Sequence, residues 1–224
     1  MTTMINPPSM LCRNQPKFDP SDWSSVAAAF AAADACAMQQ AWLAEPLAGF
    51  RPASVRVGHD DVALWIFANL RDDDPFNPET RFNAPAFTRG DAFEIFLRPQ
   101  DQEAYCEFHV TPENQIFQLR IPSAAAFATI KMKSQEENPC LIPTPVFDHW
   151  TRVDRAGGCW EVLARIPFKS VAESGAAPAG TRWLFSFCRY DYTRGNPTPV
   201  LASTSPHPVC NFHRQTEWGT LTME

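Results

Sequence analysis

Two glutamates and a histidine recur at spacings that would place them side by side on one β-hairpin. The run 90–99, from Gly90 to Pro99, is about one strand long. So is 105–110, from Tyr105 to Val110, and the polar residues between the two suit a hairpin loop. Side chains alternate along a strand with period two, so Phe93, Ile95 and Leu97 share one face of the first strand while Glu94 and Phe96 share the other. On the second strand Phe108 and Val110 oppose Glu107 and His109. Burying the apolar set leaves Glu94, Glu107 and His109 together on the opposite face. Paired carboxylates at a defined separation can act as the acid and base of glycosidic hydrolysis. The same groups beside aromatic rings can hydrogen-bond the hydroxyls of a bound molecule. A cross-strand ion pair, worth about 0.2–1 kcal/mol, requires no ligand at all. Arg189, in the apolar run 182–190, is a further candidate for this group, with Glu94 or Asp191 as its partner.

A second concentration of ligand-type atoms lies in the stretch 71–89, which is long for a connection inside one domain. Asp72, Asp73, Asp74 and Asn77 offer the several oxygens that a hard cation such as calcium requires, although no EF-hand pattern is present. A solvated acidic loop explains the same run. No G-x-S-x-G, H-E-x-x-H or Gly-rich phosphate loop occurs. The seven cysteines include no C-x-x-C pair, which argues against a zinc ribbon or a redox dithiol. Cys106, Cys159 and Cys188 sit inside apolar runs and read as buried, reduced thiols.

The elements that must position these groups are strands. Alternating or apolar runs at 53–57, 62–70, 90–99, 105–110, 115–120, 146–153, 159–166, 182–190 and 218–223 are separated by turn-forming residues. Twenty-one prolines against nine glycines disfavour long helices. The Ala-rich run 27–41 has high helix propensity without an apolar stripe, so at most one short N-terminal helix is expected, with Asp22 placed to cap a turn from Trp23. The pattern predicts an all-β, antiparallel sandwich of jelly-roll type. Residues 1–22 would form an extended arm and 23–224 a single domain, with 122–145 as a peripheral insertion. Trp160, Trp183 and Trp218 read as core. A net charge of −6 gives no basic footprint for nucleic acid. No apolar run reaches the ~20 residues needed to span a bilayer. The N-terminus carries no signal-peptide pattern, so cytoplasmic residence is expected, or secretion if a leader has been removed.

Five runs in order resemble the family 9 carbohydrate-binding modules and the wider group of DOMON-like sandwiches. They are Val57 to Ile66, Gly90 to Phe96, Cys159 to Val162 with Ile166-Pro167-Phe168, Trp183 to Arg189, and Asn211-Phe212-His213 leading to Trp218-Gly219-Thr220-Leu221. Together they reach from residue 53 to the end of the chain. The resemblance implies a β-sandwich that binds a mono- or oligosaccharide without catalysis, some relatives carrying structural calcium. It matches Glu94 to a sugar-binding glutamate and His109 to a basic residue on the neighbouring strand. Phe87 and Phe212 fall near the two tryptophans that clamp a sugar ring in that family, so both clamp positions carry a smaller ring here. Glu107 and Arg189 would add hydrogen bonds. The resemblance leaves two other functions open: a glycoside hydrolase using Glu94 and Glu107, and a haem-binding DOMON-like domain with Met132 and His213 as axial candidates. A protein-interaction scaffold is a further alternative.

Overall fold

Strands with one apolar face need a partner layer, and two sheets supply it to each other. The computed structural model describes residues 6–129 and 138–224. Among the described residues, one sheet has seven strands. These are β1 (Ser9–Cys12), β5 (Ala92–Pro99), β6 (Tyr105–Val110), β7 (Ile116–Ile121), β10 (Arg182–Asp191), β11 (Val200–Ser203) and β12 (Gly219–Met223). Its order is β1-β12-β10-β5-β6-β7, with β11 also beside β10. The other has five: β2 (Cys36–Ala37), β3 (Ala53–His59), β4 (Ala63–Arg71), β8 (Asp148–Asp154) and β9 (Cys159–Pro167), in the order β2-β3-β4-β9-β8. Every pairing of these strands is antiparallel except that of β1 with β12, which is parallel. Ser9–Cys12, in the stretch expected as an extended arm, is thus an edge strand of the larger sheet.

The predicted hairpin forms in the expected register, with Glu94 opposite His109 and Phe96 opposite Glu107. Phe93, Ile95, Leu97, Phe108, Trp183, Phe185 and Phe187 fill the space between the sheets with Val55, Leu64, Ile66, Trp160 and Val162 of the other layer. Full burial of side chains this size contributes about 1.5–3 kcal/mol each. Trp160 and Trp183 are core, as the sequence suggests, whereas Trp218 packs with Phe96 and Tyr105 on the outer side of the larger sheet.

Both outer faces are partly covered, which explains why β4, β5, β6 and β9 read as nearly continuous apolar runs. Helix α1 (Trp23–Ala29) lays Val26 over Trp65, Phe67 and Leu163 of the smaller sheet, and Phe30, its C-terminal cap, packs beside it. Asp22 caps the helix by accepting the Ser24 N–H at 3.0 Å. The helix stops at Ala29: the rest of the alanine-rich run has no apolar stripe to hold it against a sheet, and Cys36–Ala37 pairs as a strand instead. A second short helix, α2 (Ala124–Thr129), adds to the one anticipated and lies in the stretch expected as an insertion.

The loop from Arg71 to Gly90 is fastened from inside. The Asn77 side-chain amide donates to the carbonyls of Ala86 and Asp91 and accepts from Glu79 N–H. Glu79, buried, accepts from Arg81 and Arg89, and the Arg81 bonds together with the Arg89 contact hold its carboxyl well below the ordinary value against the cost of burial. Gly90 closes the loop where a Cβ would lie 2.6 Å from the Phe76 carbonyl and 2.7 Å from Asn77 Cα, both backbone atoms. Gly90→Ala is therefore expected to destabilise by about 1–3 kcal/mol through overpacking. Urea unfolding measures this, and an unchanged midpoint would show that the loop yields freely.

Candidate functional site

β12 pairs with the first half of β10 and β11 with the second, so the connection 204–218 leaves the sheet between them and folds over its outer face. That connection, the fastened loop and α2 wall a pocket of about 420 Å³. Its floor comes from alternate positions of the hairpin, Glu94 and Phe96 on β5 and Glu107 on β6, with Phe117 and Leu119 on β7 beside them. Tyr190 on β10 and Leu201 on β11 form one side. Phe87 is brought in by the fastened loop, Phe127 by α2, and Asn211, Phe212 and His213 by the folded-over connection. The Phe87 ring lies 5.4 Å from Tyr190 and 6.0 Å from Phe117, and Tyr190 meets Phe212 edge-on at 5.9 Å. The Trp218 indole N–H donates to the Phe212 carbonyl at 2.8 Å and fixes the connection.

His109 lies between the two glutamates and is 1% exposed. Its Nε2 meets Glu107 Oε1 at 2.6 Å, and its Nδ1 stands 3.4 Å from Glu94 Oε1 with no aligned hydrogen bond. Phe87 and Phe117 cover the ring at 5.3 and 5.0 Å. Burial favours the neutral imidazole, but Glu94 and Glu107 together raise the His109 pKa. Burial likewise favours a neutral Glu107, yet its hydrogen bond to His109 and the nearby histidine charges bring it below the ordinary value. Burial pushes Glu94 up to about 8, opposed by the charge of His109 and assisted by that of Glu107. These directions favour an ion pair of Glu107 with His109, beside a Glu94 carboxyl that holds its proton until the pH approaches about 8. Among the described residues no group donates a hydrogen bond to Glu94, and Glu107 Oε2 is buried without a hydrogen bond, 3.8 Å from His213 Nε2. The His213 imidazole accepts or donates at the Tyr105 hydroxyl, 2.9 Å away, and stacks on Phe127 at 3.7 Å.

The fold matches solved structures. A Bacteroides uniformis protein proposed to bind carbohydrate superposes with a TM-score of 0.73 at 14% identity, over 98% of this chain and all of that one. A family 9 carbohydrate-binding module from Caldicellulosiruptor kristjanssonii superposes with a TM-score of 0.63 over 96% of this chain in each of two structures. One holds cellotriose, at 14% identity over 93% of that chain; the other holds glucose, at 13% over 95%. The chain has the fold of a family 9 module. No protein-family model matches the sequence, and no curated protein sequence matches it either.

Within this module fold the structure brings Glu94, Glu107, Phe87 and Phe212 to one pocket, with His109 behind the floor. Arg189 is not among them. It pairs with Phe93 in the register and so faces between the sheets, where it donates to the Arg71 carbonyl at 2.6 Å and to Asp72 at 2.9 Å, and lies 3.1 Å from Asp191. The correction was available from parity: Trp183, Phe185 and Phe187 are plainly inward, and Arg189 shares their face. Tyr190, one residue on, is the pocket side chain that this parity would have found. Asn211 and His213 lie on an irregular connection with no periodic signal.

The four oxygen donors proposed for calcium do not assemble. Asp73 pairs with Arg51, Asp74 with Arg194, and Asn77 with loop backbone, while Asp72 accepts from Arg189 and the Asp74 N–H. The carboxylates that converge here are Asp72, Asp91 and Asp191, with oxygens within 4.8 Å of one another. The Arg189 guanidinium already pairs with Asp72 and Asp191, and Asp91 spends its two oxygens on the Phe76 and Tyr192 N–H groups. This donor set does not fit a calcium ion. Of the two haem candidates, Met132 lies outside the described residues, and His213 is committed to Tyr105 and Phe127.

Burial raises Glu94 and Asp91 to about 8 and Asp191 to about 7, well above the values that carboxyls hold in an unfolded chain. Groups raised on folding contribute stability at low pH and lose it as pH rises through the folded value, and the raised His109 acts in the same sense. His149, His207 and His213, lowered by burial, act oppositely, but their effect fades about one pH unit above the unfolded value of ~6.5. The melting temperature is expected to fall between about pH 7.5 and 8.5. Glu94→Gln, which keeps a neutral group at any pH, should flatten that slope. A melting temperature that rises across this window would show Glu94 and Asp91 to be ionised throughout.

Proposed function

We propose that the chain binds a carbohydrate in this pocket and does not cleave it. The observation that carries the reading is the pairing of aromatic walls with a buried Glu94 carboxyl that receives no hydrogen bond among the described residues, on the outer face of the larger sheet. A sugar ring presents C–H faces for aromatic contact and hydroxyls that need polar partners. The volume, near the lower end of the ~300–1,000 Å³ usual for small-molecule sites, suits a sugar end better than a long chain. The likeness in fold to modules crystallised with cellotriose and glucose supports the same reading. Against hydrolysis, Glu94 and Glu107 rise from one sheet face and share His109, whereas glycosidase carboxyls flank the scissile bond.

Thermal unfolding with a panel of mono- and disaccharides tests the proposal. A ligand at about 100 times its Kd adds about 2.7 kcal/mol of apparent stability. In a chain of this size that raises Tm by roughly 5–10 °C. Phe212→Ala should reduce the shift. A panel without any shift, or shifts indifferent to Phe212→Ala and Phe87→Ala alike, would remove this pocket from consideration.

A further inference from the structure

We propose that the pocket selects a sugar bearing a free, protonated amino group, its ammonium lodged against Glu94 and Glu107 and its ring against the aromatic walls. The inference rests on the carbohydrate reading above and adds the chemical class of the sugar.

Charge comes first. Among the described residues, the lining side chains include two glutamates and no lysine or arginine. The His109 charge is already taken by Glu107 at 2.6 Å, and burial lowers His213, so neither imidazole offers a free positive charge. An anionic sugar would meet carboxyls with nothing to neutralise it. The cluster instead holds one carboxyl more than it holds cations. In the empty pocket a proton on Glu94 makes up the difference, and a ligand ammonium can take that proton's place.

Hydrogen bonding points the same way. Glu107 Oε2 is buried without a hydrogen bond, and the Glu94 carboxyl faces His109 Nδ1 at 3.4 Å without an aligned one, so both remain free to accept once ionised. An ammonium brings three donors to meet them, whereas a hydroxyl brings one and also needs a donor for itself. Asn211, His213 and the Tyr190 hydroxyl are the side chains of the described lining best able to donate.

The walls complete the argument. Phe87, Phe117, Tyr190 and Phe212 surround the space with centroid spacings of 5.4, 5.9 and 6.0 Å, and the faces of such rings attract a cation away from water. The titratable groups around Glu94 are Glu107 and His109 from β6, Cys188 and Tyr190 from β10, and His213 from the connection. β7 contributes apolar side chains here.

Isothermal titration of the full chain with glucosamine, glucose and N-acetylglucosamine, at a pH that keeps the amine protonated, decides the matter. Glucosamine is expected to bind at least about tenfold more tightly than either neutral sugar. Repeating the titration in buffers of different ionisation enthalpy should show release of a proton on binding. Glu94→Gln should narrow the preference. Equal or tighter binding of glucose or N-acetylglucosamine overturns the amine proposal and leaves the carbohydrate reading intact. Binding of none of the three removes both. The comparison among sugars uses the unmodified chain, so its outcome does not depend on a variant that folds.

Discussion

Arg189→Ala is expected to destabilise the chain by about 3–5 kcal/mol, because it leaves buried carboxylates without their cation. Arg189 and Asp72 are 1% and 2% exposed, and Asp191 is little more so. Water cannot screen the charges left behind. The guanidinium also satisfies the Arg71 carbonyl at the end of β4, so the substitution orphans a backbone acceptor as well. For a chain of this length the melting temperature should drop by roughly 6–20 °C. Arg189→Lys should recover some of the loss, since an ammonium supplies the charge without the fork that reaches three oxygens. Ligand affinity of the folded variant should be unchanged, because Arg189 faces away from the pocket. A loss below about 1 kcal/mol would mean that protonation of Asp191 relieves the cluster at little cost.

His109→Ala should have an effect of similar size with the opposite location and a distinct pH signature. Without the imidazole, Glu94 and Glu107 face each other in a buried site, with oxygens no more than 4.8 Å apart. The loss is expected to reach about 3–5 kcal/mol where both carboxyls ionise. Below that range each carboxyl can take a proton, because burial and mutual repulsion raise both folded values above the unfolded ~4.3. Stability of the variant is then greatest in acid and falls as pH climbs. Urea unfolding at about pH 5 and pH 8 separates this from simple packing loss. Equal deficits at both pH values would mark His109 as an uncharged filler.

The sandwich was legible because its signal is local. Turn residues bracket short runs, and period-two alternation assigns faces, so the Glu94 hairpin and its register could be read directly. The pocket residues Phe87 and Phe212 were reached by the order of motifs; their placement depends on a loop tied down by Asn77 and a connection leaving the sheet between β11 and β12, neither of which has a periodic signature. Arg189 was misplaced because a charged residue near an acid invites a pairing argument, although the parity of its own strand already turned it inward. The aspartate run misled for a related reason. Its composition suits a cation, but Arg51, Arg189 and Arg194 are distant in sequence, and it is they that the folded chain brings to those oxygens.

The parallel pairing of β1 with β12 has a mechanical consequence. Ser9 aligns with Thr220 and Cys12 with Met223, so the leading end of β1 and the trailing end of β12 lie at opposite ends of one ladder. A tension that draws residue 9 and residue 223 away from each other runs along both strands. It loads their hydrogen bonds together in shear, so the bonds must break collectively rather than in succession. The Arg13–Glu224 ion pair, at 3.0 Å, sits at one end of that ladder. Anchored at both ends, such a domain would carry force through its edge.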